Sequence, residues 1–515
     1  MPFYGLGRRL KYSMANGALV SVAALVPPEH EVVLIDENIE RIDFDRLRRF
    51  DVIGVTGMVV QADRMLEILR KLQELPAIVA VGGPLVTVSE ATFTGLCHVR
   101  FIGEAEETWP VFLNALAAGM PTATRYVQEQ KTDMTRVPVP RFDLLPRGRY
   151  GTAPVQFSRG CPFLCEFCDI ITIFGRRPRV KTPEQILAEL DAVLAQGFRG
   201  CFLVDDNFIG NKVEAKRLLP RIIEWQQQHG FPLEFVTEAS INLANDRELM
   251  ALMVQANFRR VFIGIETPRK ASLEETRKHQ NVHGDSLLAK LERIRASGLI
   301  ISGGFIVGFD HDDERIFDEQ FEFIQASGIA TLSISLLTPL PTTPLYDRLR
   351  AEDRLDFSDP ELIYIPKQMT REQLKTGFRR LLQRVFDVDA FFDRVFEDNA
   401  HRASRQAVRP AATCNFRQRL LISTGWTARA MMLAFVMAGH GQLIRHLRAC
   451  GRVLRRNATL GPNALSFSDL VAHWITYWHF ASVTRQISGT QFGNVPESKA
   501  FIKDHPEPLS SVSSM

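Results

Sequence analysis

Cysteine is scarce in this chain, which has seven cysteines among 515 residues. So few cysteines argue against a disulfide-stabilised scaffold and fit a reducing cytoplasm. Long apolar runs are also lacking, since none approaches the roughly 18 residues that a membrane-spanning helix needs. The first twelve residues include basic side chains but no long apolar core ahead of a cleavage site, so we expect no secretory signal. These absences predict a cytoplasmic protein.

The overall composition is that of an ordinary globular chain, with 45% hydrophobic residues, 23% charged residues and a net charge of +3. A chain of 515 residues is too long for one compact core, so we expect two or three domains.

Three cysteines form the most informative pattern, because Cys161, Cys165 and Cys168 have C-x3-C-x2-C spacing. Three thiolates can ligate three irons of a cubane [4Fe-4S] cluster and leave the fourth iron open. That iron can chelate the amino and carboxylate groups of a small molecule such as S-adenosylmethionine (SAM). A zinc site would need a fourth Cys or His nearby, and a disulfide suits a secreted chain, so both alternatives are disfavoured.

Around and after these cysteines, short apolar runs alternate with amphipathic helical stretches, which is typical of a mostly parallel sheet. Six such strands predict a partial barrel. The first helix after the cysteines has Thr182 as its N-cap, Pro183 at its start and Gln185 to complete a capping box. The predicted strands are residues 154–158, 200–204, 233–237, 260–265, 301–307 and 331–336.

An earlier unit predicts an open, doubly wound α/β sheet, although no convincing strand opens it before the first helix. Its predicted strands are residues 32–35, 52–56, 78–81 and 100–102, and its predicted helices are 16–26, 62–73 and 106–118. Ligands of such sheets bind beyond the carboxyl ends of the strands, where glycines allow a large planar ligand to approach the backbone. Those ends carry Asp36, Thr56, Gly82, Gly83, Gly103 and Glu104.

The C-terminal part changes to helical patterning, and residues 401–460 contain eleven arginines and no Asp or Glu. Apolar residues 431–437 lie among them, followed by Trp474, Tyr477, Trp478 and Phe480. Such a region can contact an anionic membrane surface or a large apolar or anionic substrate, or it can be an ordinary solvated surface. Nucleic acid is disfavoured, because no recognised binding module accompanies the arginines.

These patterns predict four parts of the chain. Residues 1–120 would form a Rossmann-like domain, 121–150 a linker, 151–355 the barrel and 356–515 a helical domain.

Several segments together resemble the cobalamin-dependent radical SAM family. The resemblance extends over most of the chain and implies a B12-binding domain, a partial (β/α)6 radical SAM barrel and a helical extension. The extension looks like that of the subgroup with hopanoid C-2 methyltransferases, and the barrel is also similar to bacteriochlorophyll methyltransferases. The matching segments are residues 31–38, 51–56, 81–87, 101–106, 158–169, 204–208, 237–240, 264–268, 304–309 and 337–345.

The resemblance implies a [4Fe-4S] cluster on the three cysteines, SAM beside it, and cobalamin at the strand ends of the first domain. Three departures concern cobalamin. The missing opening strand leaves the expected cobalamin pocket incomplete. No Asp-x-His-x-x-Gly segment is present, so no histidine is expected to ligate cobalt from below. Leu85 stands where a His or aromatic residue often follows the Gly-Gly-Pro turn.

Six barrel residues are further candidates for the SAM site. Glu238 and Glu266, at strand ends, would bind the ribose or amino group of SAM or remain exposed carboxylates. Asp205 and its neighbour Asp206 would face the same cavity or cap the next helix. Gly304 and Gly308 would admit adenine against the backbone or serve strand packing.

The resemblance implies radical methylation of an unactivated carbon in a large apolar substrate, with a hopanoid as the leading guess. A flavodoxin or ferredoxin would donate electrons. The alternatives are a tetrapyrrole methyltransferase, a radical SAM oxidative cyclase and, from another class, a cobalamin- or cluster-binding sensor.

Overall fold

The structure is a computed structural model that describes residues 12–359, 361–400, 443–459, 465, 469–471 and 473–477. Two parallel sheets dominate it. The strands are β1 (Tyr12–Met14), β2 (Val52–Thr56), β3 (Ile78–Gly82), β4 (Val99–Ile102), β5 (Arg125–Val127), β6 (Tyr150–Val155), β7 (Ser158–Arg159), β8 (Arg179–Val180), β9 (Gly200–Leu203), β10 (Glu234–Ala239), β11 (Phe258–Glu266), β12 (Ile300–Val307) and β13 (Thr331–Leu336).

Helices connect these strands and form the C-terminal part. They are α1 (Gly17–Ala23), α2 (Phe44–Leu47), α3 (Ala62–Leu72), α4 (Pro84–Val88), α5 (Thr108–Ala117), α6 (Ile170–Ile173), α7 (Pro183–Ala195), α8 (Lys212–Gln228), α9 (Arg247–Gln255), α10 (Lys270–Glu275), α11 (His279–Val282), α12 (Leu287–Ala296), α13 (Ile316–Ser327), α14 (Pro344–Ala351), α15 (Arg371–Val385), α16 (Val388–Ala400) and α17 (Leu443–Thr459).

The larger sheet is a curled parallel half-barrel with strand order β1-β6-β9-β10-β11-β12-β13. All six predicted barrel strands are present: β13 has the predicted bounds, and the other five have shifted ends. The first one, β6, ends at Val155 because the amides of Phe157 and Ser158 donate to the Asp205 carboxylate at 2.8 and 3.0 Å. The chain therefore leaves the sheet just before the cysteines.

The predicted capping box of the first helix after the cysteines is confirmed in α7. Thr182 Oγ1 accepts a hydrogen bond from the Gln185 amide at 3.3 Å, and Gln185 Oε1 accepts one from the Thr182 amide at 2.8 Å. This reciprocal pairing satisfies two amides that the helix itself cannot bond. It fixes where α7 begins. The apolar face of α7, with Ile186, Leu190 and Val193, packs in the barrel core.

The smaller sheet is Rossmann-like, with strand order β2-β3-β4-β5, and its first three strands confirm the predictions for residues 52–56, 78–81 and 100–102. The strand predicted at 32–35 is wrong, because this segment lies between the sheets: Leu34 packs on the barrel core and Ile35 on the core of the smaller sheet. In addition, β1 pairs with β6 of the barrel, and β5 forms within the stretch predicted as a linker.

The C-terminal helices bury part of what the sequence suggested as a basic and aromatic surface. Trp474 and Tyr477 pack with Phe391 and Phe392 in one cluster. Arg452 and Arg456 of α17 form ion pairs with Asp389 and Asp393 of α16. Apolar residues 431–437, Trp478, Phe480 and most of the predicted basic residues lie outside the described residues. In the described part, no helix is long and apolar enough to cross a membrane.

Candidate active site

The cysteine loop runs from Cys161 to Cys168 between β7 and α6, at the carboxyl end of the half-barrel. Gly160 leads into it with a φ of 98°, and a Cβ atom there would lie 2.8 Å from the Gly175 carbonyl oxygen. The Cys161 amide donates to the same carbonyl at 3.2 Å. Only glycine tolerates both this conformation and this close approach, so the closed loop requires Gly160.

The three thiols of this loop form a donor set that fits a [4Fe-4S] cluster. None is in a disulfide, and side-chain amides contact two of them: Gln280 Nε2 lies 3.5 Å from Cys165 Sγ, and Asn207 Nδ2 lies 3.9 Å from Cys161 Sγ. Burial raises the pKa of the Cys168 thiol to about 12. Among the described residues, no three His, Cys, Asp or Glu side chains lie close enough together to hold a single metal ion. A cubane instead takes one thiolate at each of three irons.

Asp205 and Asp206 follow β9 and position the start of the cysteine loop. Asp205 is buried, and its carboxylate accepts a hydrogen bond from Ser158 Oγ at 2.8 Å in addition to two backbone amides. Asp206 accepts from the Gly160 amide at 2.8 Å. Burial raises the pKa of Asp205 to about 7 and that of Asp206 to about 6. Neither residue caps the next helix, because Asn211 caps α8.

Glu238 lies near the end of β10, and its carboxylate has no partner in the part of the chain that the structure describes. Burial, followed by repulsion from Asp206, raises the pKa of Glu238 to about 7. A partly buried carboxylate without a partner is costly unless a ligand pairs with it. Of the residues predicted to contact SAM, Glu238 has the carboxylate that is most available to a ligand.

Glu266, the second predicted strand-end carboxylate, is already paired. Lys278 Nζ lies 2.6 Å from Glu266 Oε1, and the two side chains are only 12% and 9% exposed. Glu266 has a φ of 66°, and the pairing of β11 with β12 shifts register between Gly264 and Glu266. A bulge with a non-glycine residue at positive φ is a strained arrangement that is concentrated at functional sites.

Gly304 and Gly308 make room for aromatic side chains. A Cβ atom at Gly304 would lie 2.7 Å from the Phe262 ring. Gly308 has a φ of 108°, and Tyr364 donates its hydroxyl hydrogen to the Gly308 carbonyl at 2.7 Å. The structure thus places both glycines in protein packing, which is the second of the two roles predicted for them.

The predicted strand-end residues of the smaller sheet are engaged by the protein itself. Asp36 accepts a hydrogen bond from the Tyr150 hydroxyl at 2.9 Å. Gly83, with a φ of 100°, packs against the Thr56 side chain, and a Cβ atom at Gly82 would lie 3.3 Å from Phe101. These contacts order the strand ends and give Asp36 a hydrogen-bond partner within the protein.

Glu104 joins the smaller sheet to the cysteine loop. Its carboxylate is 1% exposed and lies 2.8 Å from Arg159 and 3.0 Å from Arg179. Arg159 also pairs with Glu106 at 2.7 Å. Burial opposes ionisation, yet the arginines hold the pKa of Glu104 below its usual value. The neighbouring Gly103, with a φ of 91°, turns the chain into this ion-pair network.

An apolar platform, defined here as Met58 and Val60, lies beside these strand ends. The two residues follow β2 and are 61% and 70% exposed, whereas Leu85 is fully buried in the core of the smaller sheet. Exposed apolar side chains next to a glycine turn fit a large planar macrocycle such as a corrin. This platform is an exposed apolar surface at the carboxyl edge of the smaller sheet.

Sequence reasoning missed Arg159, Lys278, Gln280 and Asn281. The last three belong to the run Thr-Arg-Lys-His-Gln-Asn of residues 276–281, which has no apolar periodicity. The only available signal was the density of polar residues shortly after a strand-end glutamate.

Two family descriptions match this chain. The Radical SAM superfamily matches residues 155–324, and a domain of unknown function (DUF4070) matches residues 343–491. Among solved structures, the chain resembles the cobalamin-dependent S-adenosylmethionine radical enzyme OxsB, with a TM-score of 0.60, 16% identity and coverage of 97% of this chain and 82% of OxsB. It also resembles the radical SAM methyltransferase TsrM from Kitasatospora setae, with a TM-score of 0.56, 18% identity and coverage of 65% and 72%. These likenesses concern the fold.

Curated relatives are more similar in sequence. An uncharacterized methyltransferase of Synechocystis is 43% identical, and the match covers 65% of this chain and 63% of that relative. The hopanoid C-2 methylase of Rhodopseudomonas palustris is 35% identical over 391 residues, which cover 75% of this chain and 74% of the methylase. The chain therefore belongs to the cobalamin-dependent radical SAM methyltransferase family, in the group that contains the hopanoid C-2 methylase.

Proposed function

We propose that this protein uses a [4Fe-4S] cluster, SAM and cobalamin to methylate an unactivated carbon of a large apolar substrate, with a hopanoid as the first candidate. The observation that carries this proposal is the similarity to the hopanoid C-2 methylase over three quarters of the chain. The free thiols of Cys161, Cys165 and Cys168 and the apolar platform support the cofactor set.

Bound together, these cofactors would supply radical activation of a carbon–hydrogen bond and a methyl group to replace the hydrogen. The protein holds and orients them. Asp205 and Asp206 fix the loop that carries the thiols, and Glu238 offers its carboxylate to a polar group of SAM. The Arg159–Glu104 pair ties that loop to the carboxyl edge of the smaller sheet, two strands away from the apolar platform, so it helps to fix the separation of the two cofactor sites.

A flavodoxin or ferredoxin as electron donor and a peripheral membrane contact through residues 401–460 complete the proposal. We retain the domain boundaries at residues 150 and 355 as part of it, and we move the boundary predicted at residue 120 beyond Val127, so that β5 stays with the smaller sheet. A tetrapyrrole is the second candidate substrate, because the bacteriochlorophyllide d C-8(2)-methyltransferase of Chlorobaculum tepidum is 24% identical over 68% of this chain.

The test is anaerobic reconstitution with iron, sulfide and hydroxocobalamin, followed by cobalt analysis, visible spectra and turnover with SAM, reductant and a hopanoid. We expect near-stoichiometric cobalamin, 5′-deoxyadenosine and a product one methylene heavier. A product that has lost hydrogens would identify a cyclase, and bound cofactors without 5′-deoxyadenosine would identify a sensor. A methylated tetrapyrrole, with an unchanged hopanoid, would replace the first substrate by the second.

A further inference from the structure

The segment 276–281 contacts the cysteine loop directly. The Thr276 carbonyl accepts a hydrogen bond from the Glu166 amide at 2.9 Å. Gln280 Nε2 lies 3.5 Å from Cys165 Sγ, while the buried Gln280 Oε1 has no hydrogen-bond partner among the residues that the structure describes. Two separate points of the loop are therefore held by one short segment that follows α10.

The same segment holds the bulge that carries Glu266. Asn281 Nδ2 donates to the carbonyls of Gly264 and Ile265 at 3.0 and 2.9 Å, and Gln320 Nε2 donates to the Glu266 carbonyl at 3.1 Å. These amides stabilise a backbone conformation that is otherwise unfavourable for Glu266. The bulge and the cysteine loop are thus fixed to each other.

Lys278 is enclosed between these two elements. Its ammonium group lies 2.6 Å from Glu266 Oε1 and 5.7 Å from the centre of the Phe167 ring, which stands next to Cys168 in the loop. Burial opposes its charge, but attraction to Glu266 and to the sulfur atoms of Cys165 and Cys168 raises the pKa of Lys278 above its usual value. A buried positive charge therefore sits beside the thiols, with one negative charge opposite it.

We propose that the Lys278–Glu266 ion pair sets the reduction potential of the [4Fe-4S] cluster. The inference rests on the proposed function, because it needs the cluster on the three cysteines. A cluster becomes more negative on reduction, so a nearby cation stabilises the reduced form and a nearby anion destabilises it. Because the pair is buried, salt screens it little.

The experiment is an anaerobic redox titration of the reconstituted, full-length protein without SAM, followed by electron paramagnetic resonance. Lys278→Met leaves Glu266 alone and should make the potential more negative. Glu266→Gln leaves Lys278 alone and should make it more positive. The double variant should return towards the wild-type value, and Lys278→Arg should stay near it. Lys270→Met, which removes a surface lysine that is 71% exposed, is the matched control and should change nothing.

Opposite shifts in the two single variants would not follow from a merely structural role. Unshifted potentials, or shifts of the same sign, in proteins with an intact cluster would overturn the inference and leave the proposed function standing. If the Lys278→Met protein loses its cluster, the Glu266→Gln protein tests the inference alone. A more positive potential supports the inference, and an unchanged or more negative potential overturns it. A wild-type protein that forms no cluster would overturn the proposed function itself.

Discussion

At the carboxyl ends of the two parallel sheets, the acidic side chains Glu238 and Glu104 differ in their ion pairing and in the direction of their pKa shifts. In the half-barrel, Glu238 has no partner among the described residues, and its pKa is raised to about 7. In the smaller sheet, Glu104 is paired with Arg159 and Arg179, and its pKa is lowered. An unpaired carboxylate is available to a ligand, whereas a doubly paired one holds two elements together. A position at a strand end therefore makes an acidic residue a candidate for ligand binding, but its ion pairs determine whether its carboxylate is available to a ligand.

The largest effect is expected on the barrel side, from alanine substitution of Cys161, Cys165 or Cys168. Each variant should lose the cluster and all 5′-deoxyadenosine formation, because three thiolates are the minimum that holds a cubane with one open iron. Cluster absorbance and iron content after anaerobic reconstitution measure this. Cys201→Ala, at a buried strand position, is the control and should keep the cluster. A full cluster in any of the three loop variants would contradict the ligand assignment.

The half-barrel could be predicted well from the sequence, because the sequence patterns that specify it are local. The cysteine spacing, the capping box at Thr182 and the alternation of strands and helices are each readable within a few residues. The bulge at Glu266 and its pairing with Lys278 were not readable, because they depend on how β11 and β12 register and on a segment with no periodic pattern.

The smaller sheet was harder to predict for a physical reason. The apolar run at residues 32–35 satisfies the pattern of a strand, yet Leu34 and Ile35 pack on different cores. Glu104 looked like a ligand because it follows β4, but Arg159 and Arg179, distant in sequence, converge on it. Contacts between sheets leave no local signal in either segment.

The next largest effect is expected at the junction of the two sheets. Arg159→Met should destabilise the fold by roughly 3–5 kcal/mol, because it leaves the buried carboxylates of Glu104 and Glu106 without their main cation. The midpoint of urea unfolding measures this. Arg350→Met removes an exposed pair with Asp347 and should cost less than about 1 kcal/mol. Equal midpoints for the two variants would show that the junction contributes no more than a surface pair.

A smaller effect is expected from Glu238→Gln, which tests the unpaired carboxylate. A hydrogen bond to a charged group contributes roughly 1.5–3 kcal/mol, so SAM should bind roughly 10- to 100-fold more weakly at pH 8. The folded-state pKa is about 7, so the carboxylate is ionised above that pH and protonated below it. Wild-type affinity for SAM should therefore fall as pH drops through 7.

Calorimetric titration of the protein with SAM across pH 6–9 measures how much the Glu238 carboxylate contributes to SAM affinity. The Gln variant should show little of this pH dependence, because the titrating group is gone. Glu234→Gln, at the opposite end of the same strand, is the matched control and should behave as wild type. A variant that binds SAM as tightly as wild type would remove Glu238 from the site.

The smallest effect is expected on the side of the smaller sheet, where Glu104 is paired and the apolar platform is exposed. Met58→Ser removes part of a side chain that is 61% exposed, and about 1 kcal/mol of apolar burial would be lost when cobalamin binds, which corresponds to a severalfold weaker affinity. Val213→Ser, at an exposed position of α8, is the control. Weaker binding only in the Met58 variant would mean that the smaller sheet recognises its ligand by apolar contact while the half-barrel uses charge. Unchanged binding, with cobalamin still present, would place the corrin against the paired polar strand ends and remove that distinction between the two sheets.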